Sequence, residues 1–294
     1  MIVAPLTVGL LLAAALMHAS WNALLKSDQS DRMATFGLIM TTGTVMGLIA
    51  VPFLPWPEPG AWKYLIASVL IHVGYYTFLL KAYSYGDLSH TYPIARGLGP
   101  LLVALVSGRL IGEHLRMQDI AGVLLLSSGL VALAMPLKVG VPRPGARHGL
   151  ATLFAVLTGI TIAAYIIADG LGVRAAGPDF SHRVAYIAWL CTLEGPWLLL
   201  VAIVLRPKTI WMHLRRHWWR GVGGGVIANT GYGIAIYALA LGPMAHIAAL
   251  RETSVLFGAL MGTLLLGESF GARRVAAAAV IVAGLALMNG PALL

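Results

Sequence analysis

Charged side chains are scarce in this chain. Lysine, arginine, aspartate and glutamate fill only 11% of its 294 positions, against roughly 25% in an ordinary soluble domain. Acidic residues are the rarer sign, 11 against 20 basic ones. This composition excludes a soluble globular domain. Cysteine occurs once, at Cys191, which rules out an internal disulfide and a cysteine-based metal cluster and leaves the redox compartment open. There is no G-x-x-x-x-G-K-S/T loop to cradle a phosphate, and the connections are too short for a nucleotide-binding domain, so ATP-driven pumping by this chain alone is not expected. A G-x-S-x-G elbow, an H-E-x-x-H pair and a clustered Cys/His set are missing as well. The expectation is a protein that is not an enzyme, with no catalytic residues, no cofactor and no metal. Strand-like alternation and low-complexity tails are also absent.

What is present is apolar length. Hydrophobic residues make up 59% of the chain and the mean hydropathy is +0.84. Segments of about 20 residues alternate with short connections, each long enough to cross a hydrocarbon core about 30 Å thick. The sequence predicts an all-α membrane protein with ten spans, near 3–25, 33–54, 62–84, 91–111, 118–137, 148–170, 183–205, 217–239, 244–266 and 272–290. Glycine, alanine and leucine dominate them, and in lipid a helix satisfies its own backbone. The first span lacks a basic flank and is read as a retained helix. Lys and Arg in the odd-numbered connections (Lys26, Arg32, Lys138, Arg143, Arg147, Arg206, Lys208, Arg215, Arg216, Arg220, Arg273, Arg274) number twelve; the even-numbered ones hold Lys63, Arg116, Arg174 and Arg183. The positive-inside rule then puts the odd connections in the cytoplasm and both termini outside. The excess of basic charge is read as this orientation signal, with no nucleic-acid partner expected. Trp211, Trp218 and Trp219, set among cations in residues 206–220, have the pattern of an interfacial belt.

The two halves repeat. Trp62, Tyr76, Ala82, Gly86 and His90 recur 156 positions later as Trp218, Tyr232, Ala238, Gly242 and His246; a deletion shortens the offset to 155, and Arg96, Gly112 and Glu113 return as Arg251, Gly267 and Glu268. With five spans per half, the second copy enters the membrane from the opposite side, which predicts inverted repeats around a central cavity. The expected division is 1–137 for the first repeat, a Pro/Gly-containing linker at 138–147, and 148–294 for the second.

The duplicated stretches "AYSYGDLSHTYPIARGLGPLL" and "YALALGPMAHIAALRETSVLFGALMGTLLLGE", with "LTGITIAAYIIADGLG" opening the second half, resemble the drug/metabolite transporter superfamily in its ten-helix EamA-type branch. The resemblance covers nearly the whole chain. It implies secondary transport, often proton-coupled or by exchange, through a cavity lined mainly by helices 1, 3, 4, 6, 8 and 9. It also implies termini in the cytoplasm, opposite to the loop charges, so orientation and transport direction stay open. Solutes handled across the family range from amino acids to sugars and choline.

Charges inside a span cost roughly 2.5–3.5 kcal/mol on insertion scales, so Arg96, Arg251, Glu252, Glu194 and Asp169 need water or partners. Arg96 and Arg251 sit at equivalent places in the two halves, and a guanidinium fork can hold a carboxylate or phosphonate. The opposing reading is structural: Arg251 pairs with Glu252 or another acid. His18, Trp21 and Asn22 share a face of the first helix, Thr158, Thr161, Tyr165 and Asp169 one of the sixth; His72, Tyr75 and Tyr76 lie near one face of the third, and Asn229 and Tyr232 on the eighth. The expected substrate-binding set is therefore Arg96, Arg251, Trp21, Asn22, Tyr76, Tyr165, Asn229 and Tyr232. Candidates for proton coupling are Glu252, Asp169 and His18, with Glu194, His72, His90 and His246 behind them. Glu113 and Glu268 follow glycines at helix ends and are read as turn or cap residues. Gly221, Gly223, Gly224 and Gly225 in the eighth span, and Gly258 and Gly262 in the ninth, are read as close helix contacts. Pro93, Pro100 and Pro196 mark places where spans 4 and 7 would kink or break, with no counterpart in span 9.

The function expected from these readings is secondary active transport of a small polar metabolite, anionic or zwitterionic, across the inner membrane by alternating access. The rivals are a multidrug or cationic-compound exporter of the same fold and, in another class, a non-transporting assembly or receptor subunit. The partners expected are the solute and the lipid bilayer, with a monomer as default and a dimer as the alternative.

Overall fold

The computed structural model describes residues 3–27, 32–86, 88–134, 146–205, 207–266 and 271–290. Every regular element among them is helical: α1 (Pro5–Ser27), α2 (Arg32–Ala50), α3 (Pro59–Tyr85), α4 (Leu88–Leu110), α5 (Met117–Ala134), α6 (Ala146–Ala175), α7 (Phe180–Glu194), α8 (Pro196–Leu205), α9 (Pro207–Leu239), α10 (Met244–Arg251), α11 (Thr253–Leu266) and α12 (Ala272–Asn289). Eight stretches are long and apolar enough to cross a membrane, and Met117–Leu133 is a shorter apolar helix. α4, which carries Arg96 and Arg109, is not among those eight. Leucines, isoleucines and valines such as Leu6, Leu48, Ile66, Leu70, Leu124 and Leu264 stand exposed along the outer faces. On a multi-pass protein such faces meet lipid. At 1.5 Å per residue the 33-residue α9 is about 50 Å long, so its first turns, with the exposed Trp218 and Trp219, run past the core into the interface.

Part of the packing recurs when the halves are exchanged. α3 lies against α6 as α9 lies against α1; α4 lies against α6 as α10 and α11 lie against α1. α5 and α12, the last helices of the two halves, pair with each other. A Cβ placed on Gly284 would stand 2.6 Å from the carbonyl oxygen of Gly122, and one on Gly129 2.7 Å from Ile281. Small residues thus let these two backbones touch, the usual way helices associate where no hydrophobic effect acts between them. Gly221, Gly224 and Gly225 do the same for α9 on α2, where they meet Leu38, Ile39 and Thr42. Gly223 and Gly258 face open space, so the close-contact reading does not apply to these two.

Two spans are interrupted. Gly195 separates α7 from α8 directly before Pro196, as a proline's missing donor predicts. The other break corrects the sequence reading: α4 runs unbroken through Pro93 and Pro100, whereas the ninth span, which has no proline there, breaks at Glu252 between α10 and α11. The Glu252 amide reaches back to Ala249 O at 3.0 Å and Val255 N to Glu252 O at 3.0 Å. These are tightened three-residue steps inside a long helix, a distortion that often marks a functional position. The linker residues 138–145, Gly267 and Glu268 lie outside the described residues.

Candidate functional site

The spans enclose a cavity of about 110 Å³, enough for several waters or part of a small solute. α1 contributes Ala14, Ala15, His18 and Trp21; α2 adds Phe36 and Met40; α3 presents His72, Tyr75 and Tyr76. The other half supplies Tyr165 from α6, Glu194 from α7, Asn229 and Tyr232 from α9, and Arg251 and Ser254 from the broken ninth span, with Arg96 of α4 opposite. The wall of Trp21, Phe36 and Tyr76 is stepwise: Trp21 stacks on Phe36 with centroids 5.8 Å apart, and Phe36 meets Tyr76 edge-on at 5.9 Å.

The two arginines both reach this space, but in different states. Arg96 Nε lies 3.2 Å from Glu252 Oε2 as an ion pair without hydrogen-bond alignment, and its Nη2 donates to Ser254 Oγ at 3.0 Å. The pairing of Glu252 is therefore with Arg96 across the helices, and the alternative in which Arg251 pairs with Glu252 is corrected. Neighbouring helix positions point about 100° apart. Arg251 has no carboxylate within 4.0 Å among the described residues, and its guanidinium stands 5.9 Å from the centroid of the Tyr232 ring.

A second set of polar groups runs through the wall between the halves. Tyr232 donates its hydroxyl to Asp169 Oδ2 at 2.8 Å and lies 3.2 Å from His72 Nε2. His72 Nε2 is 3.5 Å from Glu194 Oε1, which accepts the Tyr76 hydroxyl at 2.7 Å. His72 stacks on Tyr165 with centroids 4.3 Å apart. Asp169 is 1% exposed and lies behind the cavity wall, bonded to it through Tyr232.

Among the residues singled out in the sequence, Arg96, Arg251, Trp21, Tyr76, Tyr165, Asn229, Tyr232 and His18 line the cavity. Asn229 also spends its amide on Ile39 O and Gly225 O and borders an apolar crevice of about 450 Å³ between α1, α2, α7 and α9. Asn22 is exposed and bonds back to His18 O at 2.7 Å, away from the cavity lining. Thr158 and Thr161 likewise bond carbonyls of their own helix. His246 is buried elsewhere, 3.3 Å from Asp119, and the side chain of His90 lies outside the described ones. Phe36, Met40 and Ser254 were not anticipated. The first two sit on α2, which beyond Arg32 at its start has no charge or motif to distinguish a cavity face from a lipid face. Ser254 is one position beyond an unforeseen helix break.

Glu113 acts as a cap, but not of its own helix. Its carboxylate accepts the Met244 amide at 2.9 and 3.1 Å, at the start of α10 in the other half. No side chain of α10 caps that end, and a carboxylate there meets the positive end of the helix dipole. Arg174 joins Glu113 at 3.3 Å to the carbonyls of Gly242 and Leu239, at 2.7 and 2.9 Å. Gly112, at φ 72°, turns the chain so that Glu113 can reach across, a conformation that glycine adopts without strain.

Comparison with known proteins places the architecture. Residues 5–135 and 149–290 each match the EamA-like transporter family. The chain belongs to this family. A solved crystal structure, described only as that of a protein, superposes on this EamA-like chain with a TM-score of 0.75, covering 97% of it and 96% of the other chain at 20% identity. At that identity the likeness concerns the fold. A search of curated proteins found no match. EamA-like proteins are membrane transporters of the drug/metabolite type with two repeats, which accounts for the duplication and for the multi-pass, all-helical build.

Proposed function

We propose that this EamA-like protein is a secondary active transporter of a small polar metabolite with a negative group, an amino acid or related organic acid, working by alternating access across the inner membrane. In this reading the helices form ten spans in two inverted five-helix repeats, and a single chain carries the whole pathway. The observation that carries it is Arg251, a guanidinium at a cavity inside the bilayer with no carboxylate within ion-pair distance, 4.0 Å, among the described residues, the neighbouring Glu252 being paired to Arg96. A charge in that place is costly without a partner. A carboxylate-bearing solute supplies one, while Arg96 is already committed to Glu252.

Burial supports a pathway closed at one end. Among the described residues, the large fully buried side chains Leu11, Leu65, Tyr186, Leu190, Ile236, Leu239, Met244, Ile247 and Leu250 lie in the halves of their spans on the side of the even-numbered connections and the N-terminus. Leu126 sits at mid-span, and Ile39 lies toward the other side. His18, Trp21, Phe36 and Met40 line the cavity nearer the odd-numbered connections. In this reading the resting form is a carrier sealed toward one face and entered from the other.

Thermal-shift screening of the purified protein against amino acids, organic acids, phosphonates, sugars and quaternary amines tests the reading. Stabilisation by an anionic or zwitterionic class, weakened about 10- to 100-fold in Arg251→Ala, is expected from the loss of charge-assisted hydrogen bonds. Glu194 beside the Trp21, Phe36 and Tyr76 wall favours a second reading, export of organic cations. Stabilisation by quaternary amines alone would establish that reading and discard the first.

A further inference from the structure

Hydrogen counting in the wall of the cavity leads further than the cavity itself. His72 Nδ1 lies 2.9 Å from the carbonyl oxygen of Ser68. The Ser68 hydroxyl lies farther from the same nitrogen, at 3.3 Å; a carbonyl can only accept, so the shorter contact assigns a hydrogen to Nδ1, which the hydroxyl oxygen can also accept. Tyr232 Oη lies 2.8 Å from Asp169 Oδ2 and 3.2 Å from His72 Nε2, and a tyrosine has one hydrogen for these two contacts. With Asp169 ionised and His72 neutral, one of the two contacts would set lone pair against lone pair. A single additional hydrogen removes the conflict in either of two ways. On Nε2 it gives an imidazolium that donates to Tyr232, which donates to Asp169. On Asp169 Oδ2 it gives an acid that donates to Tyr232, which donates to a neutral His72.

The geometry points to a stored proton: the chain Asp169–Tyr232–His72 binds one exchangeable proton, and Glu194 is its outlet to the cavity. The two forms interconvert without any co-reactant. The Nε2–H bond breaks as that hydrogen passes to Tyr232 Oη, and the tyrosine's own hydrogen leaves to form an O–H bond on Oδ2. Imidazolium and carboxylate become neutral imidazole and neutral acid, and the number of protons is unchanged.

Burial makes the extra proton necessary. Asp169 is 1% exposed, and no lysine or arginine stands within 4.0 Å of Asp169 or Glu194 among the described residues. Two carboxylates buried without a cation are costly, and a proton shared between them and His72 lowers the charge. The hydroxyls of Ser68 and Tyr186 face Asp169, yet its Oδ1 has no aligned hydrogen bond. From the other packed elements, α3 presents Tyr75 and Tyr76, α6 Tyr165, and α7 Cys191 and Glu194, while α10 sets Arg251 over the Tyr232 ring. Arg96, also on the cavity, is neutralised by Glu252. Glu194, 10% exposed at its side chain and 3.5 Å from Nε2, is the member through which a proton can pass between His72 and cavity water.

Its use rests on the transport reading. A proton on this chain makes the wall of the cavity less negative next to Arg251, so an anion and the proton favour each other's binding, and by linkage the effect is reciprocal. The two would then cross in the same direction.

The test needs no solute, so the proton site and the transport reading fail separately. Infrared difference spectra are recorded on the whole chain in phosphatidylcholine nanodiscs as pH is stepped, for wild type, Asp169→Asn, Tyr232→Phe and a control, Glu58→Gln, in an exposed connection. A titrating imidazole signal is expected, with a protonated-carboxyl signal if the second form is populated. Asp169→Asn removes the carboxylate that shares the proton, so the chain should bind its proton about tenfold more weakly. Tyr232→Phe should act in the same direction, and the control should match wild type. No titrating imidazole or carboxyl signal in wild type, or a midpoint untouched by both substitutions, overturns the proposal. Nitrogen-15 NMR of histidine-labelled wild type, with His72 assigned by His72→Gln, decides the matter if the variants do not fold. Nδ1 must stay protonated while Nε2 gains and loses its hydrogen, and an Nδ1 without hydrogen overturns the chain.

Discussion

Arg96 and Arg251 are copies of one ancestral position whose surroundings have diverged, and the difference is measurable in stability. Glu252 is 4% exposed and depends on Arg96 for its counter-charge. Arg96→Ala should therefore destabilise the protein by about 3–5 kcal/mol, the usual cost of stranding a buried charge, whereas Arg96→Met with Glu252→Leu should recover most of it. Reversible unfolding in mixed micelles reads both. Arg251→Ala, with no ion pair to break among the described residues, should change stability little. The repeat made the two positions legible in the sequence, since the same residue returned at the offset of its neighbours. Their partners were not legible. Adjacency in sequence favoured Arg251 for Glu252, but side chains one step apart on a helix diverge, and the acid that follows Arg251 reaches α4 instead. His72 and Glu194 stood among lesser candidates because nothing in a single sequence says that α3 and α7 bring them within 3.5 Å.

At the scale of the helix, lengths and apolar runs were readable, whereas breaks and cross-contacts were not. Proline is a sound signal of interruption when the surroundings do not re-satisfy the backbone. That explains why Pro196 starts a new helix while α4 passes through Pro100. The break at Glu252 has no local signal of this kind. The glycines of α9 carry a sharper test, because Gly223 and Gly225 are two residues apart and face different surroundings. A Cβ at Gly225 would collide with Thr42 Cβ and lie 2.8 Å from Ile39 O, while one at Gly223 would meet nothing within 4 Å. Gly225→Ala should cost about 1–3 kcal/mol by overpacking, and Gly223→Ala should stabilise α9 by about 0.5–1 kcal/mol. Melting temperatures of the two variants should thus move in opposite directions. Glu113→Ala removes both the cap of α10 and the partner of Arg174. It should cost at least the ~1 kcal/mol of an ordinary N-cap and speed amide exchange first at Met244–Ile247. The Gly-Glu pair marked a turn in the sequence. That its acid crosses to the other half depends on how the repeats interlock, which no local pattern records.

For the whole molecule, the proposed function makes this interlocking the element that closes one face of the cavity. The packed leucines and isoleucines, together with the Glu113–Arg174 bridge, gather in the halves of the spans nearest the even-numbered connections. In the proposed transport cycle this end, built from apolar packing and one ion bridge, would separate while the pairing of α5 with α12 keeps the repeats together. Cys191 is the only cysteine and is buried, so single cysteines can be placed with little background. His18→Cys lies on the cavity and Leu239→Cys at the packed end, with Arg216→Cys in exposed helix outside the membrane as a reporter of the odd-numbered face. In sealed vesicles of known sidedness, a membrane-impermeant thiol reagent should label His18→Cys from the same side as Arg216→Cys. Leu239→Cys should resist it from either side. Adding Glu113→Ala to Leu239→Cys should raise its labelling from the opposite face several-fold, since the bridge no longer holds that end shut. Labelling of His18→Cys and Leu239→Cys from one and the same face would mean that the packed end is no barrier, and that the two faces of the cavity are not alternately closed.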